Sequence, residues 1–306
     1  MNSLEQFHNK IKGILDLYEE EKLFQAADEL DDLHNSLNQH KDSDLVQKIK
    51  LEMDNNKTIQ KMIKEEKLAK KLLNAMESSD GWTESVDRDR VQVYYKEEST
   101  TVHSLKIVGV LDSPMLNVLT VFYESDLYKS WTPSMKSSQV LMQEKKYRYL
   151  CHYGFSLPWP LHDRDVIAYG YGVDLSDRIL VVVRSVNDDE HDQYPVEIPE
   201  PGDDARMDIY YAGILITPLN DSQTRVTLTA NVDPKLDYVP AWFLNMVLQQ
   251  MSYFVISTLR NVTANIMDDE VYAQRVREKP HIYEDIKSRM VKHAGEVEEG
   301  NDVDVD

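Results

Sequence analysis

Tyr238–Leu259 reads YVPAWFLNMVLQQMSYFVISTL, twenty-two positions without a single charge. That length could span a bilayer. Polar residues argue otherwise: Asn245, Gln249, Gln250, Ser252, Ser257 and Thr258 interrupt the run, and Asn245, Gln249 and Ser252 fall along one stripe. Phe243, Val247, Met251, Phe254 and Val255 form an apolar face, flanked by Trp242 and Met246. The pattern predicts an amphipathic helix starting at Pro240 and ending near Met267. It is more apolar than packing one stripe on a sheet requires, as expected of a helix that closes an apolar cavity.

Upstream, the period changes from helix to strand. Val91, Val93 and Tyr95 alternate with polar neighbours, and Val102–Leu111 is a second strand candidate. Pro114 opens a helix with an apolar face at Met115, Leu116, Leu119, Phe122 and Tyr123, ending near Trp131. Strands are expected at Ser138–Met142, Arg148–Phe155, Val166–Val173, Ile179–Val186, Met207–Thr217 and Thr224–Val232. Asn187–Asp204 contains eight acids and no Lys or Arg, and reads as a solvated loop. The N-terminal third is helical. Leu4, Phe7, Ile11, Ile14, Leu15 and Tyr18 share one face, a second run follows from Leu23 to Leu37, and a third helix is expected from Leu45 through Met76. The order of elements is α+β, an antiparallel sheet with a final helix.

Composition narrows the function. The 306 residues carry 34 Lys plus Arg against 54 Asp plus Glu, a net charge of −20. Nucleic acid is disfavoured, because phosphate binding needs cations to release counterions. A polybasic dock on an anionic membrane is disfavoured for the same reason. The single cysteine, Cys151, excludes an internal disulfide and any Cys-rich zinc site. MNSLEQFHNK lacks the apolar stretch of a signal peptide, so a cytoplasmic, reduced setting is expected. The Asn-x-Ser/Thr matches at Asn56, Asn220 and Asn261 are then chance matches. Phosphate-loop, dinucleotide, hydrolase-elbow and zinc-protease motifs are absent from the sequence. No cofactor and no metal are expected, and Asp188–Asp192 reads as solvated acid without calcium-loop spacing.

Three segments resemble a known family. Tyr153-Gly-Phe-Ser-Leu-Pro-Trp-Pro-Leu-His-Asp-Arg164-Asp165-Val-Ile is similar to the aromatic–proline and Arg-Asp signature of START (StAR-related lipid transfer) domains. Ser125–Trp131 resembles the end of that family's second helix, and Pro240–Asn245 the start of its C-terminal lid helix. The matches come in order and cover about residues 70–267. The resemblance implies a helix-grip (START/Bet v 1-like) fold, a curved antiparallel sheet around the long C-terminal helix, with one internal tunnel for one lipid. The phosphatidylcholine-transfer branch is nearest. Residues 1–69 would then be a helical arm, a possible protein-binding element, and residues 268–306 a charged helical segment with an acidic, disordered end from Glu296.

Carried over by position, that branch's choline cage falls on Tyr153, Val166 and Tyr210, so one aromatic face is missing. Its phosphate-contact positions are Tyr128 and Thr132, and the cholesterol branch's acid–Arg pair falls on Cys151 and Gly170. The implied cavity is more neutral than in either branch. Strand alternation is compatible with a hollow: if Tyr153 points inward, so do Tyr147, Tyr149 and Cys151, and if Val166 does, so do Ala168, Gly170 and Gly172. The opposite phase would fill the space with Tyr169 and Tyr171. The expected lipid-binding set is Trp131, Tyr149, Cys151, Tyr153, Val166, Ala168, Gly170, Tyr210, Ala212, Trp242 and Met246. No catalytic residue is expected, and Arg164 and Asp165 read as a structural ion pair at a strand start. The function implied is binding of one lipid, transfer between membranes and transient membrane contact. The alternatives are a helix-grip enzyme using Cys151, His152 or tyrosines, or a lipid sensor acting through its arm.

Overall fold

The computed structural model describes residues 3–39, 44–99, 101–132, 134–236 and 240–299. Four helices come first: α1 (Ser3–Glu19), α2 (Leu23–Gln39), α3 (Asp44–Asn55) and α4 (Lys57–Glu77). The single helix expected from Leu45 to Met76 is therefore two. Asn56 breaks it, because its side chain accepts from the backbone N–H groups of Thr58 and Ile59 and caps α4. Residue 69, where the sequence reading ends the arm, lies in mid-α4.

The strands are β1 (Thr83–Arg88), β2 (Val91–Glu97), β3 (His103–Leu111), β4 (Met135–Lys145), β5 (Arg148–Phe155), β6 (Arg164–Asp174), β7 (Ile179–Ser185), β8 (Ala205–Arg206), β9 (Asp208–Asn220) and β10 (Gln223–Asp233). They form one sheet in the order β1-β2-β3-β10-β9-β7-β6-β5-β4, antiparallel throughout that path, with the short β8 parallel to β6. Between β3 and β4 lie α5 (Met115–Tyr123) and a 3₁₀ turn, Ser125–Ser130. The helix expected to reach Trp131 thus tightens after Tyr123. After β10 come α6 (Ala241–Met246), a π turn (Val247–Met251) and α7 (Ser252–Ala264), then α8 (Glu270–Glu278) and α9 (Pro280–Glu299). The π turn leaves room for Ser252 Oγ to donate to the Val247 carbonyl at 2.8 Å. The polar stripe of this long helix is used: Gln249 Nε2 donates to the Ser85 carbonyl and hydroxyl at 3.1 and 2.9 Å.

Alternation along the strands divides two cores. Leu180, Val182 and Leu215 face α1, α2 and α4, burying Ile14, Leu30, Met62 and Leu72. Ile179, Val181, Ile214 and Ile216 face the opposite way, toward α5 and α7. The sheet is thus gripped between the N-terminal helices and the long C-terminal helix. The acidic segment after β7 is less solvated than expected. Glu190 pairs with Arg184 at 2.7 Å, and Tyr194, Val196 and Ile198 pack on the outer core. The acidic end expected to be disordered from Glu296 lies in part in α9, and residues 300–306 fall outside the described residues.

Candidate functional site

β5 and β6 supply the floor of a hollow. They pair Tyr149 with Gly170, Cys151 with Ala168 and Tyr153 with Val166. Large side chains on one strand stand beside small ones on the next, which leaves volume above the small row. Tyr147, Tyr149, Cys151, Tyr153, Ala168, Gly170 and Gly172 all line the hollow, which holds about 160 Å³. Tyr169 and Tyr171 turn their rings to the other face, where both hydroxyls donate to Glu65, at 3.0 Å to the carboxylate and 2.7 Å to the backbone carbonyl. Leu119, Phe122 and Tyr123 from α5, Tyr128 from the 3₁₀ turn, and Ile286 and Met290 from α9 close it above.

The lining is mostly apolar, and its tyrosines are locked. Tyr128 stacks on Tyr153 with ring centres 5.9 Å apart, and Tyr123 meets Tyr149 edge-on at 5.8 Å. Tyr128 donates to the Phe122 carbonyl at 2.6 Å, and Tyr147 to Asp285 at 2.7 Å. Burial pushes the Tyr149 and Tyr153 hydroxyls well above their usual range, so both stay neutral. Burial likewise raises the Cys151 thiol, whose Sγ lies 3.7 Å from Ser125 Oγ. A thiol held protonated is a poor nucleophile. His152 points to the opposite face of β5 and meets Asp165 at 3.0 Å, so Cys151 and His152 do not form a dyad.

One end of the hollow is charged. Glu21, Asp174 and Arg289 border it, with Arg289 Nη1 3.0 Å from Asp174 and Glu21 only 3% exposed. Glu21 also takes a bond from Arg148 Nη1 at 2.8 Å, and Arg148 Nη2 approaches Glu65 at 3.5 Å. Sequence reasoning missed this cluster, because its members come from five distant segments and carry no local signature. A polar cleft of about 450 Å³ adjoins the hollow and shares Tyr123, Ser125 and Tyr149 with it, framed by Glu124, Asp126, Arg275 and Lys279.

Of the expected lipid-binding set, Tyr149, Cys151, Tyr153, Ala168 and Gly170 come together on the hollow. The others do not border it. Val166 is packed one pairing step beyond Ala168, and Trp131 sits behind Tyr128 and Phe122, edge-on at 5.5 and 6.0 Å. Ala212 pairs with Val183 and Ala230, where the hollow stops short of β9. Tyr210 and Trp242 are 46% and 45% exposed, and Met246 is half-buried on the long helix. Of the three cage positions, only Tyr153 lines the hollow. Arg164 and Asp165 also need correction, because adjacent strand residues face opposite ways and do not pair. Arg164 donates to the carbonyls of Pro234, His162, Asp163 and Lys235. Asp165 instead holds Arg206 at 2.7 Å. Among the described residues no group of three His, Cys, Asp or Glu side chains is placed to hold a metal ion.

An antiparallel sheet gripping a long helix, with a mostly apolar hollow beside it, is a helix-grip fold. The START domain family model matches residues 62–266, more than half of the chain, and the chain belongs to that family. Two solved structures show the same fold. Human STARD10 is 20% identical with a TM-score of 0.57, over 69% of this chain and 85% of its own. Human StAR-related lipid transfer protein 5 is 15% identical with a TM-score of 0.58, over 67% of this chain and 96% of its own. No curated protein sequence matches the chain.

Proposed function

We propose that this protein binds one lipid-like ligand with an aliphatic portion in the hollow, and carries it between membranes without changing it chemically. The observation that supports this most is the mostly apolar lining of the hollow, charged at one end only, in a START domain. One structural neighbour is a human StAR-related lipid transfer protein, which points the same way. Each methylene removed from water is worth ~0.8 kcal/mol, and a bilayer and an apolar hollow compensate it about equally. Loading and unloading are then near balance, as a carrier needs. The incomplete cage speaks against a choline headgroup as the source of selectivity.

Membrane contact falls at one end of the sheet. Trp159, 90% exposed, lies in the loop between β5 and β6, and the Arg164 bonds to Pro234 and Lys235 bring that loop beside the end of β10 that leads to Trp242. Indole rings favour the headgroup level. With a net charge of −20 the docking is to neutral surfaces. Among the described residues no helix is long and apolar enough to cross a membrane. A single buried Cys151 fits a reducing cytosol.

The test is transfer of labelled lipids between neutral vesicles. The wild-type chain should accelerate transfer. Gly170→Leu should abolish it while the fold survives, because a Cβ at Gly170 meets its nearest neighbours at an ordinary 3.6 Å and the rest of the side chain fills the hollow. Equal transfer by both proteins would refute the assignment to this hollow.

A further inference from the structure

The family match ends at residue 266, yet α9 contributes Ile286, Arg289 and Met290 to the wall of the hollow. Among the described residues of α6, the π turn and α7, none does. The helix that closes this hollow is therefore the C-terminal one, beyond the START match. It is held differently from the other walls. The floor is three adjacent strands of a continuous ladder, β5, β6 and β7, and α5 is wedged between α7 and the sheet. By contrast α9 rests on a small cluster, Ile282, Tyr283 and Ile286 against Leu119, Tyr123 and Tyr147. Polar bonds hold it at three places along its length: Lys279, just ahead of it, and Tyr283 on the buried Glu124 at 2.7 and 2.8 Å, Asp285 under Tyr147 at 2.7 Å, and Arg289 on Asp174 at 3.0 Å. Releasing such a helix breaks no strand pairing.

Volume makes that mobility matter. An apolar void of roughly 150 Å³ takes a benzene-sized guest, whereas sites for larger ligands run to about 300 Å³ and more. At about 160 Å³ the hollow holds a short length of chain, and a longer chain must displace a wall. Ile286 is buried and Met290 half-buried, and both present flexible or branched apolar side chains to that space.

We propose that α9 is the gauge of the hollow: Ile286 and Met290 set the length of aliphatic chain it accepts, and the chain enters beneath α9 and not beneath the long helix. This rests on the reading that the hollow holds an aliphatic chain. Cys151, the one cysteine, lines the hollow and serves as reporter; buried and held protonated, it reacts slowly, so alkylation is run at alkaline pH and each protein's alcohol-free rate is its reference. The full chain is incubated with straight-chain alcohols of increasing length, and the rate of Cys151 alkylation by N-ethylmaleimide is followed. Wild type should be protected by chains up to a cutoff length. Met290→Ala and Ile286→Ala should move the cutoff to longer chains, Met290→Phe should move it to shorter ones, and Met246→Ala on the long helix should leave it in place. Protection in wild type with an unmoved cutoff in all three α9 variants would overturn the gauge and leave the chain-binding reading standing. A cutoff moved by Met246→Ala alone would hand the role to the long helix. Absence of protection at every length would overturn both.

Discussion

Glu21 occupies a left-handed conformation, φ 60°, in the tight turn between α1 and α2, and its carboxylate bonds Arg148. Few residues other than glycine adopt that backbone freely. Burial outweighs the neighbouring guanidinium groups of Arg148 and Arg289 and pushes the carboxyl up to about 7. Because the folded pKa is raised, the stabilisation is full below the ordinary value of 4.5 and is lost as pH rises through about 7. The loss amounts to about 3 kcal/mol at most. Glu21→Gln cannot ionise, so urea unfolding of this variant should show a flatter decline across that window than wild type; parallel profiles would contradict the account. Residues of this kind were not legible in the sequence, since Arg148 lies 127 positions from its partner. The row of Tyr149, Cys151 and Tyr153 beside Ala168 and Gly170 was legible, because alternation on paired strands is a local rule. Its phase was not, until Glu65 on α4 took the hydroxyls of Tyr169 and Tyr171 to the other face.

At the scale of elements, periodicity identified both N-terminal helices and most strands, and it failed where one side chain overrides it. Asn56 ends α3 and caps α4 inside a run whose apolar spacing continues across it. β1 was missed because Val86 is its one buried residue, too little to show a period of two. Gly213 marks a close approach of β7 and α4 to β9. A Cβ there would lie 2.0 Å from the Val181 carbonyl oxygen and 2.7 Å from Leu72 Cδ2, so the residue lets α4 settle on β7 and β9. Gly213→Ala should cost about 1–3 kcal/mol, read as a lower urea midpoint with an unchanged slope. An unchanged midpoint would show that β7 and α4 approach Gly213 less tightly than these distances require.

For the molecule as a whole, the motifs in 125–131, 153–167 and 240–245 carried the fold, and the family match over 62–266 agrees with their order. What they could not carry was the use of the flanking segments. The sequence reads 1–69 as an arm and 268–306 as a charged tail, because amphipathic stripes do not name the surface that covers them. In the structure α1 and α2 bury theirs on α4 and the outer core, and α9 buries its own on the hollow. Of the residues expected at the site, Tyr210, Ala212, Trp242 and Met246 belong to β9 and the long helix, while the hollow sits under α5 and α9. The account rests on that hollow being a place for one lipid. The most direct measurement is the intact mass of the purified full chain under non-denaturing conditions, beside Gly170→Leu. The prediction is one lipid-sized adduct per wild-type chain, lost in the variant. A wild-type chain without adduct, or the same adduct on both proteins, would contradict it.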